Sequence, residues 1–466
     1  MLCIAHPPTY LPERAYIHGV VLGEFLGLDW RTEICNAGGS IRITLDGDAS
    51  GKAVTLEDVL FHTSEAEWLN ERSLPMEPIE WCDVPEALGG STAISRRCPV
   101  IYGRAMDEAY YRVGEDGWTC GVDIFGTAFF MLSRYEELVV RTVDEHGRFP
   151  SSASVACRGR FLERPIVNEY VEILWLMLRQ LWPSLRRKTR EHRVLLSHDV
   201  DVPLSVVGRR PSWILRNVLA DMAIRRDFKL AVRRVCACIA AWQGVYDSDP
   251  CNTFNFVMEV SERYGRQSAF NYLADRSSET MDGAYVLQDP WIRKLMRQMH
   301  ERGHEIGLHP SYNTYMDPVQ TGKEFADLQR VCAEEGIEQL AWGGRQHYLR
   351  WRNPTTWRNW ATAGLHYDST LGFPDRVGFR AGTCYEYSVF DLEERRALPL
   401  RERPLVVMEV TLLDQMRLSL EGAFNRIMEL NRRCRLFGGD FTLLWHNSTL
   451  ISREQREWYR VICDRL

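Results

Sequence analysis

Residues 193–201 read RVLLSHDVD, an apolar run that ends in two aspartates, Asp199 and Asp201. The run predicts a short buried strand, and in an extended chain both carboxylates point to the same side because side chains alternate with a period of two. The ends of such strands are where α/β proteins place catalytic groups. One carboxylate can bind a metal ion while the other accepts a proton from water. The alternative is a pair of capping or turn aspartates ahead of Pro203.

From residue 193 onward the chain alternates short apolar runs with amphipathic helices. Residues 290–302 illustrate the helices, because Asp289 can act as the cap, Pro290 takes the first helical position and Gly303 marks the end. Repeated strand–helix units predict a parallel sheet, and about seven units can close into an irregular barrel. The predicted strands are residues 194–196, 268–273, 304–308, 340–342, 365–367, 406–410 and 441–444.

The first part of the chain mixes helix and strand signals instead. An amphipathic helix begins at Pro165 and ends before Pro183, and the basic residues 186–190 then interrupt the pattern. Because 466 residues are too many for one core, we predict a smaller α+β domain over residues 1–187 and an α/β domain over residues 188–466. The other elements predicted for the first domain are a helix over 12–28, a strand over 40–45 and a strand–turn–helix over 122–137.

The composition, with 45% hydrophobic and 26% charged residues, is that of an ordinary soluble globular protein. A net charge of −6 argues against a nucleic-acid binder, whose domains are usually basic. We find no secretory signal, and no apolar run of the ~20 residues that a membrane span needs. The 13 cysteines are scattered without a CxxC pair, which is typical of buried thiols in a reducing cytosol. These features predict a cytoplasmic protein.

Three further strand ends carry polar side chains. His309 and Asn313 stand four residues apart just past a predicted strand, so a helical turn there would direct both towards one cation. His446 follows the apolar residues 443–445 and can protonate a leaving amine. Arg345 can orient a carboxylate or bind a substrate oxygen. For each, a structural role is the alternative, either a buried core histidine or an exposed arginine.

Six strings occur in a fixed order: SHDVD (197–201), GHEIGLH (303–309), GRQHY (344–348), YDST (367–370), GFRAG (378–382) and LWHN (444–447). Over about residues 193–450 the chain resembles the NodB-homology polysaccharide deacetylases, carbohydrate esterase family four, and within them a branch linked to surface-polysaccharide (O-antigen) gene clusters. The resemblance implies a distorted (β/α)7 barrel that binds Zn²⁺ or a similar divalent ion, preceded by an accessory domain. It also implies that Asp199 is the general base, that Asp201 and His309 are metal ligands, and that His446 is the general acid.

The chain departs from the motifs of that family at the metal site and the groove wall. Asn313 stands where the family has a second histidine, and an amide oxygen is a weaker, neutral ligand. We expect Asn313 as the third metal ligand, or else His347. GRQHY replaces the usual Arg-x-Pro-Tyr string, so His347 and Tyr348 are candidate substrate-binding residues.

Two supporting roles are less clearly marked in the sequence. The carboxylate that should tune His446 is expected to be Asp414, with Asp368 as the alternative. Arg380, within GFRAG, is a further candidate for contacting substrate or for orienting Asp199.

The segment between Asp201 and Asn252 carries helical signals and many basic residues. One interpretation is a solvated helix face. The other is a lid that attracts an anionic substrate, such as a sugar nucleotide or a lipid-linked pyrophosphate. The basic residues are Arg209, Arg210, Arg216, Arg225, Arg226, Lys229, Arg233 and Arg234.

Together these features predict a metal-dependent hydrolase that removes an acetyl, or a formyl, group from an amino sugar of a surface polysaccharide. The cofactor would be a divalent metal, above all Zn²⁺, and the substrate would be carried on a nucleotide or a lipid. One alternative is a degenerate barrel that binds a glycan or a partner without hydrolysis, which Asn313 supports. Another is a different C–N hydrolase that acts on a small amide.

Overall fold

A computed structural model of the chain describes residues 1–35, 39–88, 93–207, 211–224 and 226–466. In these parts of the chain the strands are β1 (Leu2–His6), β2 (Trp30–Ile34), β3 (Ser40–Leu45), β4 (Ala53–Glu57), β5 (Glu80–Asp83), β6 (Arg97–Val100), β7 (Tyr111–Gly114), β8 (Gly117–Cys120), β9 (Arg193–Val200), β10 (Ser268–Tyr272), β11 (Glu305–Leu308), β12 (Gly343–Gly344), β13 (Tyr367–Asp368), β14 (Tyr387–Asp391), β15 (Arg396–Glu402), β16 (Val407–Met408) and β17 (Asp440–Leu444). The α-helices are α1 (Leu11–His18), α2 (Ile124–Leu132), α3 (Tyr135–Val139), α4 (Val155–Arg158), α5 (Ile166–Leu181), α6 (Pro211–Ala223), α7 (Phe228–Ala241), α8 (Phe254–Arg263), α9 (Pro290–Glu301), α10 (Pro318–Glu334), α11 (Thr355–Ala363), α12 (Leu420–Leu436) and α13 (Arg453–Arg465).

The larger sheet contains the residues 193–201 that end in the paired aspartates. Its strand order is β14-β15-β13-β12-β11-β10-β9-β17-β16, and all neighbours are parallel except β14 with β15. The chain therefore runs outward from β9 to β13 on one side, while β17 and β16 lie on the other. The predicted α/β fold with a parallel sheet is confirmed. The closed (β/α)7 barrel stays a prediction, because among the described residues no ladder joins the two ends of this sheet.

The first part of the chain forms a separate mixed sheet with the order β2-β1-β3-β4-β8-β7. The strands β5 and β6 form their own antiparallel pair. The amphipathic helix predicted from Pro165 is α5, which packs on α2 and β4. The predicted helix over 12–28 begins as α1 and continues as the π-helical segment Gly19–Phe25. The domain division at residue 187 stays a prediction.

The two parts are joined by buried contacts. One hydrophobic cluster includes residues of both sheets. In addition, Arg380 forms a buried ion pair with Glu137 in which Nη2 and Oε2 are 2.5 Å apart. Arg134 pairs with the same carboxylate at 2.9 Å. Buried charges of this kind persist only when they are paired, so the ion pair fixes the position of one part of the chain against the other.

Some predicted elements are wrong or displaced. Residues 122–127 do not form a strand, because Asp123 caps α2 by accepting a hydrogen bond from the Gly126 N–H at 2.7 Å. Residues 340–342, predicted as a strand, precede the observed strand β12, which begins directly after them at Gly343. The strands β14 and β15 were not predicted. In the described parts of the chain, none of the helices has the length and the apolar character needed to cross a bilayer.

Candidate active site

Five polar side chains come from the carboxyl ends of neighbouring strands in the larger sheet. Asp199 is the penultimate residue of β9, and Asp201 directly follows that strand. His309 follows β11, Arg345 follows β12 and His446 stands two residues after β17. These strands are parallel and adjacent, with only β10 between β9 and β11. Their carboxyl ends therefore meet at one edge, as the sequence predicted.

Asp201, His309 and His347 form a cluster that can hold a metal ion. Their ligand atoms all lie within 4.8 Å of one another. Asp201 Oδ1 is 3.1 Å from His309 Nε2 and 3.5 Å from His347 Nε2. Both imidazoles are buried, and the Asp201 side chain is 25% exposed. One carboxylate and two imidazoles, with a position open to solvent, are the ligand set of many catalytic zinc sites.

A hydrogen bond from Nδ1 fixes the orientation of each imidazole in the cluster. The Nδ1–H of His309 donates to the Arg345 carbonyl oxygen at 2.5 Å, and the Nδ1–H of His347 donates to Asp282 Oδ1 at 2.9 Å. These bonds leave the Nε2 atoms as the ligands that face Asp201. Within the described residues, the buried atoms Asp201 Oδ1 and His309 Nε2 have no hydrogen-bond partner. Because buried polar atoms normally have partners, this pair fits a cation.

The charges of the cluster act on each other. Burial alone would raise the pKa of Asp201, but His347 and then His309 hold it well below its usual range. Burial alone would lower the pKa of His309, but Asp199 and Asp201 raise it above its usual value. The cluster therefore places an ionised carboxylate beside the His309 and His347 rings.

Asp199 lies beside the cluster and is held by two donors. Arg345 Nη1 donates to Asp199 Oδ1 at 3.0 Å, and Asn271 Nδ2 donates to the same oxygen at 2.7 Å. The other oxygen, Oδ2, is 4.0 Å from His309 Nε2. Burial alone would raise the pKa of Asp199, but the charge of Arg345, and then that of His309, lowers it below its usual value. Asp199 is thus an ionised carboxylate with one oxygen held and the other beside the cluster.

His446 approaches the cluster from the opposite side of β9. Its Nε2 lies 3.4 Å from Asp201 Oδ2. Its Nδ1–H donates to Glu409 Oε1 at 2.8 Å, and the same oxygen accepts the backbone N–H of His446 at 2.7 Å. Burial alone would lower the pKa of His446, but the Glu409 carboxylate, followed by Asp201, raises it to about 10. His446 is therefore a protonated imidazolium at neutral pH.

The first part of the chain reaches the edge of this site. His146 Nδ1 is 2.9 Å from the Tyr312 hydroxyl, and the His146 ring lies against Tyr348 with centroids 5.0 Å apart. Tyr348 in turn packs on His347, with ring centroids 4.8 Å apart, and adopts a left-handed backbone with φ 61°.

A mostly apolar cavity of about 120 Å³ opens beside Asp201 and is lined by Leu204, Val207, Tyr246, Tyr285 and Trp291, among others.

Comparison with known proteins gives a family match in the first part of the chain. Residues 2–183 match a family of unknown function (DUF7033). Among the curated proteins, none matches the chain. The match covers less than half of the chain, and all of it lies ahead of β9.

Solved structures similar to this chain include carbohydrate esterase family four proteins. A protein from Mycobacterium smegmatis, assigned provisionally as a polysaccharide deacetylase, is 16% identical and has a TM-score of 0.37, over 59% of this chain and 85% of the other. The family four domain of a multidomain xylanase from the hindgut metagenome of Trinervitermes trinervoides is 11% identical, with a TM-score of 0.28 over 59% and 81%. An allantoinase is 13% identical, with a TM-score of 0.35 over 59% and 83%. At this level of similarity, function must be inferred from the geometry of the site.

Two sequence-predicted site residues, Asn313 and Asp414, lie outside the cluster. Asn313 is exposed, and its amide donates to the Ser277 carbonyl at 3.0 Å and accepts from Arg350 at 3.2 Å. Asp414 is exposed in the π-helical segment Thr411–Gln415, while Glu409 occupies the position beside His446. The alternative third metal ligand, His347, therefore replaces Asn313. Asn313 does not face the site because the chain after His309 does not form an α-helical turn.

Arg380 and Asp368 are also accounted for by other contacts. Arg380 is 1% exposed, pairs with Glu137 and donates to the Gly372 carbonyl at 2.9 Å, whereas Arg345 is the arginine that donates to Asp199. Asp368 is buried and accepts the Thr370 backbone N–H at 2.9 Å. Burial raises the pKa of Asp368 to about 7. Both residues are structural.

The structure adds three residues to the predicted set, namely Glu409, Asp282 and Asn271. Glu409 directly follows β16, so an acidic residue inside the apolar run 406–410 was its signal in the sequence. Asn271 stands opposite Asp199 in the pairing of β10 with β9 and was visible as a polar residue in a predicted strand. Asp282 lies in a loop and carries no comparable signal.

Proposed function

We propose that the protein is a metal-dependent hydrolase that removes an N-acyl group from an amino sugar. The observation that carries this proposal is the convergence of three elements on Asp201: two imidazoles, an ionised carboxylate held by an arginine, and a histidine paired with a buried glutamate. Each element has the chemistry that one step of amide hydrolysis requires.

A divalent ion would be held by Asp201 Oδ1, His309 Nε2 and His347 Nε2. The donor set fits Zn²⁺, for which mixed carboxylate and imidazole ligands with an open position are usual. When bound, such an ion acts as a Lewis acid towards the acyl oxygen and towards water. The backbone carbonyl oxygen of Arg345 and the carboxylate of Asp282 would keep the two rings oriented, because each accepts the Nδ1–H of one histidine.

The proposed general base is Asp199. Arg345 and Asn271 hold one of its oxygens, so the other is available to take a proton from the attacking water. Its low pKa keeps it deprotonated at neutral pH. Arg345 is thus a positioning residue that acts through Asp199.

The proposed general acid is His446. It carries a proton at neutral pH because Glu409 raises its pKa, and its Nε2 faces the cluster. Donation of that proton to the nitrogen of the breaking C–N bond releases a neutral amine, while the acyl group leaves with the oxygen of water.

The substrate class rests on the sequence motifs. The similarity to polysaccharide deacetylases favours an N-acetyl, or N-formyl, amino sugar destined for a surface polysaccharide, carried on a nucleotide or a lipid in the cytoplasm. We further propose that residues 1–187 act as an accessory domain that completes the edge of the site. The contact of His146 with Tyr312 supports this role.

The test is a screen of acetylated and formylated amino sugars, free and nucleotide-linked, for release of acetate or formate. We expect activity that a chelator abolishes and Zn²⁺ restores, and that Asp199→Asn lowers by about 10²–10⁴-fold. The matched control is Asp107→Asn, since the Asp107 side chain is 90% exposed and precedes β7 of the smaller sheet. Full activity in Asp199→Asn would show that Asp199 is not the general base. Glycan binding without release from any substrate would instead favour the binding module.

A further inference from the structure

The helices α6 and α7 carry a large apolar surface that nothing in the described chain covers. The four-residue connection between them returns the chain, and α6 packs along α7 as a helical hairpin. The exposed apolar side chains are Leu215 (61%), Leu219 (55%) and Met222 (41%) on α6, and Phe228 (63%), Val232 (62%), Val235 (44%), Ile239 (58%) and Trp242 (90%) on or directly after α7. Monomeric proteins rarely expose a contiguous apolar surface of this kind without a binding role.

The spacing of these residues shows that they form a stripe on each helix. The intervals are four and three residues on α6, and four, three, four and three on α7, which keeps all of them on one face of a helix with 3.6 residues per turn. The opposite face of α7 is buried, with Ala231, Arg234 and Ala237 inside. Arg234 ties α7 to α6 through an ion pair with Asp221 at 2.9 Å. The stripe is therefore not the surface with which the two helices pack together.

Basic side chains flank the stripe. Arg216 on α6 and Lys229 on α7 are exposed, and each directly follows an apolar residue of the stripe. Arg226 is exposed in the connection. Residues 203–246 contain eight basic and two acidic residues, although the whole chain has a net charge of −6. This local excess of positive charge complements an anionic surface.

Not all of the predicted basic residues are available to a partner. Arg234 is buried in its ion pair, and Arg233 donates to the Ser248 carbonyl at 3.0 Å and to the Asp249 carbonyl at 3.1 Å. Arg209, Arg210 and Arg225 lie outside the described residues. The charge that flanks the stripe in the described chain therefore comes from Arg216, Arg226 and Lys229.

We propose that the helical hairpin α6–α7 docks on an anionic lipid bilayer and lies in its interface. The apolar stripe would insert among the headgroups while the flanking cations meet anionic phosphates, which is the arrangement of interfacial amphipathic helices. A second copy of the chain is a poorer occupant, because a two-fold contact would bring two like-charged hairpins together.

The position of the hairpin links docking to the site. Leu204 and Val207 precede it, Tyr246 follows it, and all three line the cavity beside Asp201. A docked hairpin holds that cavity close to the bilayer surface, where the headgroup of a lipid-carried sugar lies. This last consequence rests on the proposed function, whereas lipid binding does not.

Co-sedimentation of the full chain with vesicles tests the proposal without any substrate. One set of vesicles is an equimolar mixture of phosphatidylglycerol and phosphatidylcholine, and the other is phosphatidylcholine alone. We expect binding to the first set that weakens with salt. We expect Ile239→Ser to lower the partition coefficient by about tenfold, since transfer of one aliphatic side chain from water into the bilayer favours binding by about that factor. Lys229→Gln should lower it by about fivefold.

The matched control is Leu340→Ser. Leu340 is fully exposed ahead of β12, at the end of the sheet away from the site, so its loss should leave vesicle binding unchanged. Equal binding by Ile239→Ser and wild type would overturn the proposal, as would the absence of binding to anionic vesicles. A dimer in sedimentation velocity that Ile239→Ser converts to a monomer would also overturn it, in favour of a second copy. Circular dichroism of each variant checks that the exposed substitutions leave the fold intact.

Discussion

The assignment of the third metal ligand gives the most decisive prediction, which compares His347→Ala with Asn313→Ala. His347 Nε2 faces Asp201 at 3.5 Å, whereas both ends of the Asn313 amide are engaged with Ser277 and Arg350. A four-ligand structural zinc site contributes about 10–16 kcal/mol of binding free energy, or about 2.5–4 kcal/mol per ligand. Since about 1.4 kcal/mol corresponds to a tenfold change, His347→Ala should weaken Zn²⁺ binding by about 10²–10³-fold. Asn313→Ala should change it by less than about twofold.

The assay is competition for Zn²⁺ with a chromophoric chelator, using purified protein stripped of metal. It needs no substrate, so it is independent of the identity of the sugar. Thermal unfolding without metal serves as the control for folding, and both variants should unfold close to the wild type. A large loss of affinity in Asn313→Ala with none in His347→Ala would refute the ligand assignment.

Three further predictions follow from individual contacts. Glu409→Gln should lower the rate of deacylation by about 10²-fold or more, because it removes the charge that keeps His446 protonated. The control Asp414→Asn changes an exposed side chain and should keep the wild-type rate. Equal rates in the two variants would contradict the pairing of Glu409 with His446. Asp282→Asn should weaken Zn²⁺ by about 10–100-fold in the chelator competition through the orientation of His347, and unchanged affinity would exclude that role. Arg380→Met should lower the free energy of unfolding by about 3–5 kcal/mol in urea denaturation, because Glu137 loses a buried partner, and a loss below about 1 kcal/mol would show that the pair is not needed.

Most of the site could be predicted from sequence because its residues are strand ends. Asp199, Asp201, Arg345 and His446 each follow an apolar run, and a parallel sheet brings such ends together whatever the details of the loops. The same local pattern identified β9, β10, β11 and β17. Positions that depend on sheet geometry alone are therefore readable from the chain.

The remaining site residues depend on loop conformation and on strand neighbours. Asn313 shares a face with His309 only if an α-helical turn follows β11, and the chain there is not α-helical. Glu409 reaches His446 because β16 pairs with β17, and that pairing joins segments more than thirty residues apart along the chain. Such long-range pairings are not encoded in residue spacing.

The same limit applied to the fold. The strand β15 pairs in parallel with β13 and adds β14 at the edge, an arrangement that residue patterns did not suggest. The strands β12 and β13 are only two residues long, so their apolar signals lie just ahead of them. Short strands of this kind are set by their neighbours and not by local propensity.

The proposed hydrolase chemistry depends on one divalent ion that Asp201, His309 and His347 hold between them. A crystal structure of the protein with Zn²⁺, with data collected at the zinc absorption edge, tests it directly. We expect one anomalous peak with Asp201 Oδ1, His309 Nε2 and His347 Nε2 at ~2.0–2.2 Å. A fully occupied peak elsewhere, with these three side chains unliganded, would contradict the account.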